Sequence, residues 1–353
     1  MRVRAHWMGG AAAALVCALS LLWGGCTADE PTSPAAEAVS TSGQTDSGPA
    51  LDAAQTGTGP MAMITVHADP DGLSDPRATP ENWERLAALV AQADSHGHKL
   101  TLLFGATWME LLEDNTARRM ALKAWINNGH QAGFHHHTCG HASPDGYRDV
   151  GNELCVGISD RGSVSAAFAK VKDLVTSLDL PDTPQNRVDT AAQGPNTNNV
   201  FRAVEWQADA VYATGEMSEN GDGHGHHRFI TRPRCTTNYG NRYEGPKVTY
   251  SVAEMGHSQL DVGSFTQFKS DNNLAALTAE IDEALGDDHV HTGVHIGIVF
   301  HAREYAPEPR TVARDSYADD RAYLDAVMQL LADRGVRVVT VRDILSAADP
   351  CVN

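Results

Sequence analysis

From Gly129 to His141 the chain reads GHQAGFHHHTCGH, with five histidines in thirteen positions. Neutral imidazole is a common metal donor, so this run has the make-up of a divalent-metal half-site. If it is helical at its end, His137 and His141 are four apart and reach one ion together. If it is a strand as far as His137, alternation puts His135 on the face of His137 and His136 on the other. A second device lies upstream in Val66-His67-Ala68-Asp69-Pro70-Asp71. His67 and Asp69 are two apart and point to one face just before Pro70 ends the strand. An oxygen from Asp69 with nitrogens from His137 and His141 makes a three-ligand site with room for water, and His67 is either a fourth ligand or the base. A cation so held lowers the pKa of water from ~16 to near 7. The expected chemistry is metal-assisted hydrolysis.

A third element is HIGIVFH, in which residues 295, 297, 299 and 301 share a face and His301 emerges at the carboxyl end. Its expected job is to protonate a leaving group. Another histidine patch, His224-Gly225-His226-His227, is set among glycines and reads as a polar loop.

These groups need a frame that brings distant strand ends together. Apolar runs at 61–67, 99–104, 131–137, 210–213, 295–300 and 336–341 alternate with helical spacings at 80–95, 107–128, 164–178, 198–206, 274–285 and 323–332, with a last short helix at Asp343. Residues 214–245 read as a long irregular loop. Repeated βα units imply parallel strands with helices outside, and a barrel or an open sheet satisfies the pattern.

Residues 1–26 have the make-up of an export signal: Arg2 and Arg4 precede an apolar run, which ends in Leu22-Trp23-Gly24-Gly25-Cys26. Small residues before a cysteine resemble a bacterial lipoprotein signal, with Cys26 as the lipid-bearing N-terminus. Residues 27–60 are rich in Ala, Ser, Thr, Gly and Pro and read as a disordered tether. Residues 61–353 then form a single domain. The localisation expected is exported, at the bacterial cell envelope. A formal charge of -18, from 45 acidic and 27 basic residues, argues against a nucleic-acid partner. Of six cysteines, Cys17 and Cys26 belong to the signal and the other four allow three pairings; closing Cys139 with Cys155 is worth ~3 kcal/mol in the chain-entropy account and would leave Cys235 to clip the C-terminus through Cys351.

The aspartate after the first strand, the GHQAGFHHHTCGH segment, the apolar strand ending in His301 and a closing LDAVMQLLADRGVRVVTVRDIL unit together resemble the polysaccharide deacetylase family. The resemblance runs from about Met61 to Leu345. It implies a distorted (β/α) barrel with fewer than eight regular units, a zinc ion (another divalent metal being an alternative), and removal of acetyl groups from an N- or O-acetylated glycan. By it, Asp69, His137 and His141 match the metal triad and His301 the catalytic acid. The family has two adjacent aspartates after strand one, base then ligand. Here none are adjacent, which leaves the base between Asp71 and His67. The His67-x-Asp69-Pro70 order is similar instead to the zinc motif of class II α-mannosidases. The stretch 190–199 has no arginine where the family carries its substrate motif. Two alternatives stay open: a non-catalytic, lipid-tethered protein that binds metal or glycan, and a zinc-dependent glycosidase with Glu304 as its candidate carboxylate. The oligomeric state is not legible.

Overall fold

Strand β1 (Met61–Ala68) is flanked by β2 (Thr101–Phe104) on one side and β9 (His295–His301) on the other, both parallel to it. From β2 the pairing continues in parallel through β3 (Gln131–His136), β4 (Thr190–Gln193), β5 (Tyr212–Glu216) and β8 (Val248–Gln259), and β8 returns to β9. The ring closes through β1 with parallel pairs throughout, so every strand ends at the same rim. The short β10 (Arg337–Val338) adds to β1, whereas β6 (Ile230–Thr231) and β7 (Arg234–Gly240) run antiparallel to β9 and β8. This is a distorted (β/α) barrel with an irregular flank. The computed structural model describes residues 59–69, 78–137, 144–147, 159–193, 210–216, 228–240, 248–260, 273–286, 293–307 and 319–351.

The helices are α1 (Pro80–Ser95), α2 (Ala106–Glu113), α3 (Thr116–Asn127), α4 (Val164–Thr176), α5 (Leu274–Leu285), α6 (Asp320–Asp333) and α7 (Val341–Ala348). Most start on a side-chain cap: Thr79, Asn115, Ser163, Asn273, Asp319 and Thr340 each accept a backbone N–H from the first turn. Asn115 corrects the single helix expected over 107–128. Its side chain accepts from Arg118 N, which starts a new helix after Asp114. The main core lies between the helices and the outward faces of the strands, where Ile64, Val66, Leu102, Phe134, Ile296, Ile298 and Phe300 are buried.

Inside the ring the filling is different. Met63, Ala253 and Met255 meet Val341, Ile344 and Leu345 of α7, which enters the barrel opposite the functional rim. The strands complete its cap. Val341 N donates to Thr101 Oγ1 at 2.9 Å and Arg342 N to Gln131 Oε1 at 3.2 Å, so interior polar groups satisfy N–H groups that a helix start leaves open. Arg342 pairs with Asp189 beside them. Above this layer the ring is tight at Gly133. A Cβ there would lie 2.5 Å from Leu103 Cδ2 and 2.7 Å from the Thr190 carbonyl oxygen, so only glycine lets β2, β3 and β4 approach.

Several expectations need correction. Residues 214–245 are not one irregular loop, since β6 and β7 lie within them and β7 pairs with the long β8. The last strand is only Arg337–Val338, because Thr340 and Asp343 form a capping box that turns the chain into α7. The strand expected at 210–213 runs over Tyr212–Glu216. The Cys235–Cys351 disulfide is present and ties β7 to the chain beyond α7. The helix expected at 198–206, the Cys139–Cys155 pair, the 224–227 patch, the N-terminal signal and all of the tether before residue 59 lie outside the described residues.

Candidate metal centre at the carboxyl rim

Three strand ends converge. Asp69 follows β1, His137 follows β3, and His301 closes β9. Register then orders the side chains: His67 is directly opposite His301 across the β1–β9 pair, so both face the same side of the wall. Alternation along β3 turns His135 and His137 inward and His136 outward, as the strand reading requires. His136 Nδ1 lies 2.7 Å from Asp145 Oδ2 on the outer face. His137 stands at the end of a strand and not on a helix.

Asp69 is the hub. Its Oδ1 lies 3.0 Å from His135 Nε2 and 3.2 Å from His137 Nε2. Its Oδ2 lies 3.4 Å from His301 Nε2 and accepts a hydrogen bond from Arg303 Nη1 at 3.0 Å. His67 completes the ring of imidazoles, stacked on His135 at 3.9 Å and edge-on to His301 at 5.3 Å between centroids. All of these except Arg303 are buried.

The strand ends are held rigidly. Trp108 Nε1 donates to the Asp69 carbonyl oxygen at 2.8 Å, and Gly105 N to that of Ala68. Asp145 is fully buried and accepts from the backbone N–H groups of His137 and Tyr147 while contacting His136, so it fixes where β3 ends. After His301 the chain makes a 3-10 turn, Ala302–Glu304, and Glu304 folds back. Its Oε2 accepts the His301 backbone N–H at 2.8 Å, its Oε1 lies 3.0 Å from His301 Nδ1, and Gln259 Nε2 donates to Oε1.

The donor set fits a divalent cation. Asp69 Oδ1 is buried yet accepts no well-directed hydrogen bond, and neither nitrogen of His135 makes one. Buried polar atoms of Asp69 and His135 are thus left without directed partners, which is costly in a dry site unless a cation joins them. The separations of 3.0 and 3.2 Å about Oδ1 are near the ~3.3 Å edge of a tetrahedron with bonds of 2.0–2.1 Å. Asp69, His135 and His137 form one such group, and His67, Asp69 and His301 form another that shares the carboxylate.

Electrostatics separate the roles. Burial pushes the Asp69 carboxyl up, but His137, His301 and the contacts from His135 outweigh it and hold Asp69 well below the usual carboxylate range. Burial drives His135 down to about 4 against the pull of Asp69, which leaves a neutral ring with a lone pair for a metal. His301 goes the other way. Burial lowers it, but the Glu304 and Asp69 carboxylates prevail and raise it above the ordinary value, as suits a proton donor.

Of the residues singled out from sequence, His67, Asp69, His137 and His301 meet here. Asp71 and His141 lie outside the described residues. His135 joins the centre as a donor that sequence reasoning placed on the right face without naming it a ligand. Arg303, Asp145 and Glu304 in its role behind His301 had no sequence signal beyond nearness to the motifs. His130, which opens the histidine run, is turned away: its Nδ1 accepts from Leu100 N and its Nε2 lies 3.0 Å from Asp94.

No family model matches this sequence, and no curated protein matches it. Among solved structures the chain is similar to a 4-alpha-glucanotransferase from Thermococcus litoralis, with a TM-score of 0.45 and 12% identity over 81% of this chain, and it spans 38% of that protein's length. It is also similar to an inferred polysaccharide deacetylase from Mycobacterium smegmatis, with a TM-score of 0.47 and 12% identity over 82% of this chain and 91% of that one. At such identity neither speaks to chemistry.

Proposed function

We propose that this protein is a metal-dependent hydrolase that removes acetyl groups from an N- or O-acetylated glycan. The observation that carries the hydrolase reading is a single buried carboxylate, Asp69, with His135 and His137 on one oxygen and a carboxylate-backed histidine, His301, near the other. The acetyl and glycan parts come from the motif resemblance. A divalent cation, zinc by the nitrogen-rich donor set, would supply Lewis acidity and acidify a water.

The chain's own residues do the rest. Asp69, His135 and His137 hold the ion, with His67, stacked on His135, as a candidate base. Glu304 lies against His301 Nδ1 while Nε2 faces the centre, and His301 would pass its proton to the departing amine or alcohol. Glu304 is turned onto His301 and not toward the centre, so it is a positioning group and not a glycosidase nucleophile. A pure metal-binding site would have no need of that dyad. We further propose export through residues 1–26 and envelope attachment through Cys26, a reading supported by the composition of residues 1–60.

The test is acetate release from acetylated chitin and xylan oligomers by the zinc-loaded protein, with and without chelator. Chelator-sensitive acetate release is expected, and His301→Ala should keep zinc but lose turnover. Release of sugar without acetate would overturn the proposal.

A further inference from the structure

Two donor groups share Asp69, but only one of them is open to a divalent ion. His135 and His137 approach Oδ1, while His301 faces Oδ2 and forms a second group with Asp69 and His67. Each trio places its ligand atoms within 4.8 Å of one another. A carboxylate that presents separate oxygens to separate histidine groups has the form of a bridge between two cations. Here a side chain has taken one of those places. Arg303 Nη1 donates to Oδ2 at 3.0 Å, and its guanidinium is partly exposed at the rim while Asp69 is almost wholly buried.

We propose that Arg303 is a built-in cation that reserves Asp69 Oδ2 and restricts the centre to one divalent ion. This rests on the reading that Asp69, His135 and His137 hold that ion. Three features support it. Guanidinium stays charged at any working pH, so the charge it places at Oδ2 does not vary with pH. A second divalent ion beside it would meet like-charge repulsion in a poorly screened site. Finally, the turn that carries Arg303 is fixed at both ends. Glu304 closes it onto His301, and Arg85 of α1 donates to the Arg303 carbonyl oxygen at 3.1 Å.

The arrangement matters for the acid. His301 Nε2 is the nitrogen that faces Asp69 Oδ2, at 3.4 Å. An ion at that oxygen would take the lone pair of His301 and remove the proton donor. Arg303 is thus a positioning residue that keeps a second ion off His301, and excess zinc should not silence the wild-type protein.

The experiment is equilibrium dialysis of the full-length protein against zinc, with metal counted by mass spectrometry, for wild type, Arg303→Gln and Arg303→Lys. Cobalt absorption spectra and thermal melts are recorded on the same samples. Expected are one ion in wild type and Arg303→Lys, two in Arg303→Gln, and an added cobalt band only in the last. Micromolar excess zinc should inhibit Arg303→Gln at least ~10-fold more strongly than wild type. Two ions in wild type, or one ion and an unchanged cobalt spectrum in a folded Arg303→Gln, would overturn the lock while leaving the proposed centre intact. No ion in wild type would overturn the centre and the lock together. If Arg303→Gln fails to fold, two ions in Arg303→Lys overturn the proposal and one supports it.

Discussion

His301 Nδ1 lies 3.0 Å from Oε1 of Glu304, and the other oxygen of the same carboxylate accepts the His301 backbone N–H at 2.8 Å. One carboxylate therefore fixes the backbone of the proposed acid and lies against its ring. It also keeps a proton on the ring, since it is the largest influence opposing burial.

Glu304→Gln should keep the metal but lower kcat, by less than the roughly 10²–10⁴-fold that a general acid contributes in all. The sign of the pH effect follows from the raised value of His301. An acid must be protonated, so activity falls as pH rises through its pKa. Removing the charge that raises it should move that falling limb to lower pH. A pH profile of kcat/KM checks this, and an unmoved limb would detach Glu304 from the acid.

His135→Ala should empty the site as thoroughly as His137→Ala. His135 Nε2 is at least as close to Asp69 Oδ1 as His137 Nε2 is. Metal analysis after gel filtration decides it, and a stoichiometric ion in His135→Ala would restrict the ligand set to Asp69, His137 and residues beyond them.

These residues show what a sequence can and cannot display. Asp69, His137 and His301 were legible because each ends an apolar run, and parallel strands put such ends on one rim. Alternation also marked His135 as facing His137. Its role was hidden by the spacing argument for His137 and His141, which took His137 as helical, whereas it directly follows the strand β3. Glu304 and Arg303 depend on a tight turn after β9 that no periodicity announces. The flank of β6 to β8 was obscured by glycine and histidine, residues that favour loops unless distant strands pair with them. The seating of α7 depends on Thr101 and Gln131, more than two hundred residues away in the chain.

Asp145→Ala should destabilise the fold by about 3 kcal/mol or more, since it strands buried N–H groups and a buried imidazole together. Asp145 serves His136, His137 N and Tyr147 N at once. Urea unfolding of the metal-free protein measures it. A change below ~1 kcal/mol would show that Asp145 does not hold the end of β3.

Stability should fall with acid partly through His295. Burial lowers its pKa to about 4, and its Nδ1 accepts the Met61 backbone N–H at 3.2 Å, so the folded protein keeps the ring neutral. The unfolded chain takes up a proton near the ordinary value of ~6.5. The contribution is therefore complete above pH ~6.5 and is lost progressively as pH falls toward 4. Urea midpoints across that window should fall less steeply in His295→Gln, which retains an acceptor but does not titrate. Equal slopes for both proteins would exclude His295 as a source of the acid sensitivity.

The most direct measurement is anomalous diffraction at the zinc edge from crystals of the zinc-loaded protein. The account predicts one strong peak at bonding distance, about 2.0–2.2 Å, from Asp69 Oδ1 and from His135 and His137 nitrogens. A zinc peak held elsewhere, or none at the rim of the barrel, would contradict it.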